Sequence, residues 1–479
     1  MLQTIQERLT AAGLVLPSTW VSDIQEWGKN VALYREYAEG EHRAYMTTEM
    51  RKMLRISDAR NDQFSLNYCD LVIQRMSDRL VVTSVDGDTD QASEWSNAVL
   101  TANRFDGLQM DVHEASIRDG ITFVMATYDN STRQIVLVHE LAWDGDTGMI
   151  PVYDRMGKRV LAVVKVWYEG STTRRVNIYY ADRVEKYDAP AGGALLVHSD
   201  TLERGHMEED RGEANGVVPW VNAQGQPIGV PVIPFVNRAK TRLTTGTSEI
   251  GSVISVQDSL NRTLVSMVMT SELSAFQIKV ALGFLPPAEV TPGMWVVVGE
   301  GAIPADQKVD AFVLEQAQLV PFISQAQFLI DQIGTISQTP LPGQMGGDSA
   351  SGEAIKQRET GLVGKIKRFQ IKGGNAWEDV LSLAANIQNA FGTTSAPRVG
   401  RWVCRWQDAE SRNDAEVVAN VKLMRELMGD EQALREVAGV FGWDETQIQR
   451  IMVQKQRATV NALAALPNFD SFGANVQST

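Results

Sequence analysis

Histidine and cysteine are the residue types that most often bind metals or act in catalysis. The five histidines of this 479-residue chain form no HExxH motif and no other close ligand spacing. They are His42, His113, His139, His198 and His206. Cys69 and Cys404 lie far apart in sequence, which disfavours a cysteine-based zinc site and a disulfide scaffold. We therefore predict no metal and interpret each histidine as a surface or partly buried imidazole.

Motifs for nucleophilic attack and for phosphate binding are incomplete. The sequence contains no GxSxG nucleophile elbow. Residues 347–352 have the glycine spacing of a phosphate-binding loop, but Glu353 stands where a lysine is needed. These observations predict a chain with no enzymatic activity and no cofactor. A soluble hydrolase stays open as an alternative, because a catalytic carboxylate pair need not form a sequence motif.

The charge balance is acidic, with 45 lysines and arginines against 59 aspartates and glutamates. The net charge of −14 does not favour tight binding of nucleic acid, so any DNA contact must be local or weak. Hydrophobic residues make up 44% of the chain, which is enough for a substantial core. We find neither a signal peptide nor a run of about 18 apolar residues, and expect a cytoplasmic protein without a membrane span.

Hydrophobic periodicity predicts an α+β fold that is mainly helical. Residues 1–60 show helical patterns, and an apolar stripe at helical spacing follows over 67–80. The stripe consists of Cys69, Val72, Ile73, Met76 and Leu80. From Ile117 to Tyr187, β-branched and aromatic runs between turn residues predict an antiparallel sheet.

The second half alternates long helices with short extended segments. We predict a helix over 248–280 with Ser248 as its N-cap, and another over 314–337 that contains only two charged residues. A further helix, from Ser351 to about Ala390, is predicted to be interrupted near Gly373 and Gly374. The last segments are predicted as a strand over 401–407, short helices over 415–463 and a frayed tail.

The two weakly charged helices have too little charged surface to stand free in water. They indicate burial between subunits of an oligomer. A monomeric protein-binding adaptor is the competing interpretation, and the same helices argue against it because a monomer would expose them.

The strongest local positive region lies on the helix predicted after residue 351. Lys365, Arg368 and Lys372 follow an i, i+3, i+7 spacing that places them on one helical face. Lys367 lies beside them, and Lys356 and Arg358 precede them by a few turns. The simplest interpretation is a solvated helix face, and the alternative is a binding surface for DNA or a neighbouring subunit.

Several short runs in the same order resemble the portal proteins of siphophage-type tailed bacteriophages. The resemblance covers about residues 34–430 and is weaker at both ends. Its runs are YREYAEGEHRAY at 34–45, the helix at 67–80, IPFVNR at 233–238, GTSEI at 246–250, QDSLN at 257–261, SGEAIK at 351–356 and RWQD at 405–408.

The resemblance implies a portal-type architecture and a ring oligomer, a dodecamer at one vertex of the capsid. Double-stranded DNA would pass through its channel during packaging and ejection. The implied divisions are a wing (1–247), a stem helix (248–280), a small clip (281–313), a second stem helix (314–338), a tunnel loop (339–352), a long helix returning to the wing (353–407), a crown (408–466) and a disordered tail (467–479).

The resemblance also implies site residues and partners. Gln344, Asp348 and Ser349 would line the tunnel loop, which has no basic residue. The channel would further contain Lys356, Lys365, Arg368 and Lys372, and the clip would dock partners through Trp295, Glu289 and Glu300. The implied partners are further copies of the chain, the large terminase, a head-completion or adaptor protein, and the major capsid and scaffolding proteins. The implied location is the virion, after assembly in the host cytoplasm.

Overall fold

The structure, a computed structural model, describes most of the chain outside several internal stretches and the C-terminal region. The described residues are 1–41, 66–169, 173–189, 195–197, 217–238, 245–275, 279–282, 310–313, 318–342, 352–410 and 452–453.

Helices make up much of the described chain. They are α1 (Leu2–Ala11), α2 (Trp20–Ala38), α3 (Tyr68–Ser77), α4 (Asp90–Ala102), α5 (Phe105–Asp119), α6 (Ile254–Ala275), α7 (Val320–Ser337) and α8 (Gly352–Phe391). Two of them begin at side-chain caps that satisfy free backbone amides. Asn67 accepts a hydrogen bond from the amide of Asp70, and Thr89 accepts one from the amide of Ala92.

Strands are concentrated in the first half. They are β1 (Val82–Asp86), β2 (Ile121–Asp129), β3 (Gln134–Glu140), β4 (Gly148–Tyr153), β5 (Val160–Glu169), β6 (Thr173–Tyr180), β7 (Arg183–Ala189), β8 (Leu196–Val197), β9 (Val217–Pro219), β10 (Val232–Val236), β11 (Lys279–Leu282), β12 (Asp310–Val313) and β13 (Val403–Trp406). The named strands pair antiparallel, so the helices and sheets confirm the α+β class.

A six-stranded sheet runs in the order β4-β5-β6-β7-β8, with β9 also paired to β7. A three-stranded sheet runs β10-β2-β3, and β1 pairs with β13 from far along the chain. One face of the larger sheet packs against α1 and α2, with Ile5, Trp20 and Ile24 in the contact. Its other face contributes Val163 and Tyr179 to the core that contains the smaller sheet and α8.

Another apolar cluster joins α3, α5, α6, α7 and the first half of α8. All five members of the predicted stripe, from Cys69 to Leu80, are buried in it. Ile330 and Ile333 of α7 and Leu362 and Ile366 of α8 complete the contact. We call the described residues up to 250 the N-terminal unit. The helices of the second half are therefore attached to this unit by the stripe that the sequence indicates.

Some predicted boundaries were wrong. The first long helix begins at Ile254 rather than Ser248, because residues 246–250 form a turn that packs against the end of α5. Ser248 is not its N-cap, since its hydroxyl oxygen accepts a hydrogen bond from the amide of Ile250. Lys279–Leu282 is a strand, although the helix was predicted to reach residue 280. The sheet begins at Ile121, since α5 continues to Asp119.

Helix α8 is continuous over 40 residues, so the predicted interruption at Gly373 and Gly374 is also wrong. A Cβ on Gly373 would lie 3.0 Å from the ring of Phe369, and one on Gly374 would lie 3.1 Å from the indole nitrogen of Trp406. Gly373 therefore leaves room for the ring of Phe369, one turn earlier on the same helix, and Gly374 lets β13 approach the helix closely.

Candidate functional site

Helices α6 and α7 form a pair with little charge. Asp331 is the one charged residue of α7 between Val320 and Ser337. The inner face of α7 buries Ile330 and Ile333, whereas its outer face leaves Phe328 57% exposed. Ser324, Gln325 and Thr335 surround that ring at helical spacing and are exposed as well. Asp331, which is partly exposed, lies one turn after Phe328. The outer face therefore has a single charge and an aromatic residue near its centre.

The polar residues of α6 fasten this helix to the N-terminal unit. The Gln257 side chain accepts a hydrogen bond from the amide of Tyr68 and donates one to the carbonyl of Leu66. The Asn261 side chain accepts from the amide of Leu66 at 3.0 Å, and the hydroxyl of Tyr37 donates to Asp258. The QDSLN run thus binds the backbone that leads into α3.

A buried ion pair lies where the N-terminal unit, α7 and α8 meet. The Lys365 Nζ atom is 2.5 Å from an oxygen of Glu249, and both side chains are almost fully buried. Lys365 also donates to the carbonyl of Ser337, in the last turn of α7, at 2.7 Å. Arg238 and Asn237 bind the other oxygen of Glu249 at 2.8 and 3.0 Å. Burial lowers the pKa of Lys365, and Glu249 opposes that effect.

The prediction that Lys365, Arg368 and Lys372 form one exposed basic face was wrong for Lys365. This residue is 4% exposed, because the side of α8 on which it lies faces Glu249 and the end of α7. Arg368 and Lys372 are exposed, and within the described ranges neither forms a salt bridge. Lys367 is paired with Glu410 at 2.8 Å.

Other predicted site residues lie outside the described residues. They are Gln344, Asp348 and Ser349 of the loop, and Glu289, Trp295 and Glu300 of the clip. Lys356 lies in the first turns of α8, and its side chain is not among those described.

Sequence reasoning missed the roles of Glu249, Gln257 and Asn261, although the GTSEI and QDSLN runs contain them. Their polar side chains are buried and bound to backbone or to Lys365. The sequence offered one indication of these roles. A polar residue that falls on the apolar side of a predicted helix must be buried with a hydrogen-bonding or charged partner.

His113 is a buried histidine in the contact between α5 and α8. Its Nδ1 lies 2.8 Å from the carbonyl of Leu80, and its Nε2 accepts a hydrogen bond from the indole of Trp377 at 3.0 Å. The ring is therefore the neutral tautomer with its proton on Nδ1. Burial lowers the pKa of His113 to about 4, against the opposing effect of the hydrogen bond to Leu80. The role of this histidine is structural.

We expect His113 to make folding sensitive to acid. Below pH 6.5 the unfolded chain protonates this imidazole, whereas the folded chain does so only near its pKa of about 4. Stability therefore falls as the pH decreases through this window, by up to about 3 kcal/mol. Urea unfolding of the wild type and of His113→Gln between pH 7 and 4 measures this. The variant should be less stable at pH 7, but its free energy of unfolding should decrease less on acidification. Equal decreases in the two proteins would contradict the role of His113 in the acid sensitivity.

Two kinds of feature are absent from the described residues. In those ranges, no cluster of three or more histidine, cysteine, aspartate or glutamate side chains is placed to hold a metal ion. None of the helices found there has the length and apolar character needed to cross a membrane.

Comparison with known proteins places these features in a family. The sequence model of the family described as phage portal protein, SPP1 Gp6-like, matches residues 28–460. The portal protein of Mycobacterium phage D29 is 28% identical over 205 residues, which are 40% of this chain and 41% of that protein. The portal protein of Mycobacterium phage L5 is 28% identical over 217 residues, which are 40% of this chain and 43% of its own length.

The family match covers most of the chain, so the protein is of the phage portal class. The chain belongs to the SPP1 Gp6-like family of phage portal proteins. Each match to the two mycobacteriophage proteins spans about two fifths of their length.

Proposed function

We propose that this chain forms the portal ring of a tailed phage, a dodecamer at one capsid vertex through which double-stranded DNA enters and leaves. The family membership supports a portal role. The observation on which the ring depends is the outer face of α7, which leaves Phe328 57% exposed among neighbours of which Asp331 alone is charged in this helix. Burial of a phenylalanine stabilises a contact by roughly 1.5–3 kcal/mol, and each subunit of a ring would repeat it.

The proposed divisions follow the portal architecture of wing, stem, clip, tunnel loop and crown. Helices α6 and α7 would be the stem, and the antiparallel pair of β11 and β12 would be the base of the clip. Gln344, Asp348, Ser349 and Lys356 would lie along the channel. The net charge of −14 supports a conduit that lets DNA slide, because a strongly basic channel would hold it.

Partner proteins would supply the energy for DNA packaging and would attach the ring to the rest of the virion. We propose that the large terminase docks first on the clip, through the region of Glu289, Trp295 and Glu300, and that a head-completion protein follows. The major capsid and scaffolding proteins would contact the ring during assembly. An aromatic residue among Pro/Gly turns is a common anchor for a docking protein, and Trp295 fits that description.

The native mass of the purified protein, with negative-stain images of the same sample, tests the proposal. We expect rings with a central hole and a mass near twelve times 52.9 kDa. A closed dimer with an enclosed pocket would overturn it in favour of a hydrolase. A monomer at every concentration, also in the presence of scaffolding protein, would favour an adaptor.

Phe328→Lys should reduce ring assembly, because it places a charge in a contact that would otherwise be apolar. We expect the subunit concentration needed for assembly to rise at least about tenfold. Analytical ultracentrifugation measures this.

Met156→Lys is the matched control. It also replaces an exposed apolar side chain, 80% exposed, by lysine, but it lies in a turn of the six-stranded sheet. Rings should form normally in this variant, and equal effects of the two substitutions would contradict a role for the α7 face.

A further inference from the structure

Helix α8 has an exposed apolar residue between two cations. Ile371 is 67% exposed, with Arg368 one turn before it and Lys372 next to it. Gly364 lies two turns earlier on the same side, and a Cβ there would meet no atom within 4 Å. This basic face, defined by Arg368, Ile371 and Lys372, is therefore open to a partner.

Helix α5 has a face of the opposite charge that also centres on an exposed apolar residue. Met110 is 60% exposed, with Asp111 next to it and Glu114 one turn after it. Gly107, one turn before Met110, also faces open space. Glu114 acts electrostatically on Arg118, whose guanidinium is bound to Asp119. We call Met110, Asp111 and Glu114 the acidic face.

The two faces do not meet within one chain. Inside a subunit α5 and α8 contact each other through buried side chains, where His113 lies against Phe369 and Trp377. Met110 and Ile371 are both exposed, so neither face covers the other within the subunit. A contact between them must join two copies, and a head-to-tail contact of this kind generates a ring when the rotation closes.

We propose that the acidic face of one subunit docks on the basic face of the next, with Met110 against Ile371. Helix geometry selects an antiparallel crossing. In that orientation both carboxylates and both cations lie on the same side of the apolar contact, so that Asp111 comes opposite Lys372 and Glu114 opposite Arg368. In a parallel crossing the charges would lie on opposite sides. This inference rests on the proposed ring.

DNA is the competing partner for Arg368 and Lys372. The exposed Ile371 between the two cations favours a protein, because an aliphatic side chain gains nothing beside a phosphate and gains burial beside Met110. The open glycines support the same choice, since a helix surface without side chains allows another helix to approach closely.

Charge exchange between the faces is the test. R368E/K372E alone and D111K/E114K alone should each raise the concentration needed for assembly at least about tenfold, because each puts like charges in contact. A 1:1 mixture of the two variants should assemble into alternating rings, since every contact then has opposite charges again. Combining all four substitutions in one chain should also restore assembly.

A cross-link locates the contact directly. In the M110C/I371C variant, bis-maleimide should join neighbouring subunits into a ladder on a denaturing gel, whereas M110C/M156C should give none. Normal assembly of R368E/K372E with impaired DNA packaging would overturn the proposal in favour of DNA. Wild-type rings without the M110C/I371C ladder would also overturn it and leave the proposed function intact. Absence of wild-type rings would instead count against the portal ring itself.

Discussion

The Gly246→Ala variant is expected to lose at least about 4 kcal/mol of folding free energy and to accumulate little folded protein. Gly246 has a φ of +71°, and a Cβ there would overlap the carbonyl oxygen of Gly120 and lie 2.7 Å from that of Asn237. Both oxygens lie where the backbone after α5 contacts the backbone after β10, since the amide of Asn237 donates to the carbonyl of Gly120. The backbone cannot move aside without breaking these hydrogen bonds.

Gly225→Ala is the control for the backbone angle. Gly225 has a φ of +74°, but a Cβ there would meet nothing within 4 Å. The folding free energy of this variant should decrease by only about 1–2 kcal/mol, the cost of an alanine in the left-handed region. Urea denaturation of both proteins measures the difference, and similar losses would show that φ alone, not the close approach, requires Gly246.

Lys365→Met should destabilise the chain by about 3 kcal/mol, because it leaves the Glu249 carboxylate buried without its closest cation. It also removes the hydrogen bond to the carbonyl of Ser337 at the end of α7. Arg238 and Asn237 still bind Glu249, which keeps the loss at the lower end of the range for a broken buried pair. Thermal and urea unfolding measure the change.

Lys367→Met is the matched control, two residues away on the same helix. Its ion pair with Glu410 is more than half exposed, so the loss should stay below about 1 kcal/mol. The double variant Lys365→Met/Glu249→Gln should recover part of the stability, because it no longer buries an unpaired charge. If Lys365→Met were no more destabilising than Lys367→Met, the buried pair would have no structural role.

The sequence was informative where one side of an element faces a core. The stripe from Cys69 to Leu80 predicted α3 and its buried face, since a helix on a single core needs apolar residues every three or four positions. The β-branched and aromatic runs predicted the antiparallel sheet, because such side chains pack well on the pleated surface of a sheet that faces a core. Family membership also followed from short runs in the right order, and the family comparison confirmed it.

Other features depend on what lies opposite a residue in space. Lys365 shares its spacing with Arg368 and Lys372, and this pattern predicts a solvated helix face. The structure instead places Glu249 opposite Lys365, which is therefore buried. A pair of glycines looks like a helix break, but Trp406 and Cys404, from a distant strand, occupy the room at Gly374. The partner in each case is too far along the chain for local patterns to indicate.

The continuity of α8 has a mechanical consequence. Forty residues at 1.5 Å per residue make a rod about 60 Å long. Its first half is held at Lys365 by Glu249, and its second half is held at Trp377 by the core of the two sheets. A force on the turns after Gly352 therefore acts on a stiff lever with two supports rather than on a hinge. We expect such a force to reach the sheets around Trp377 as a tilt of the whole helix.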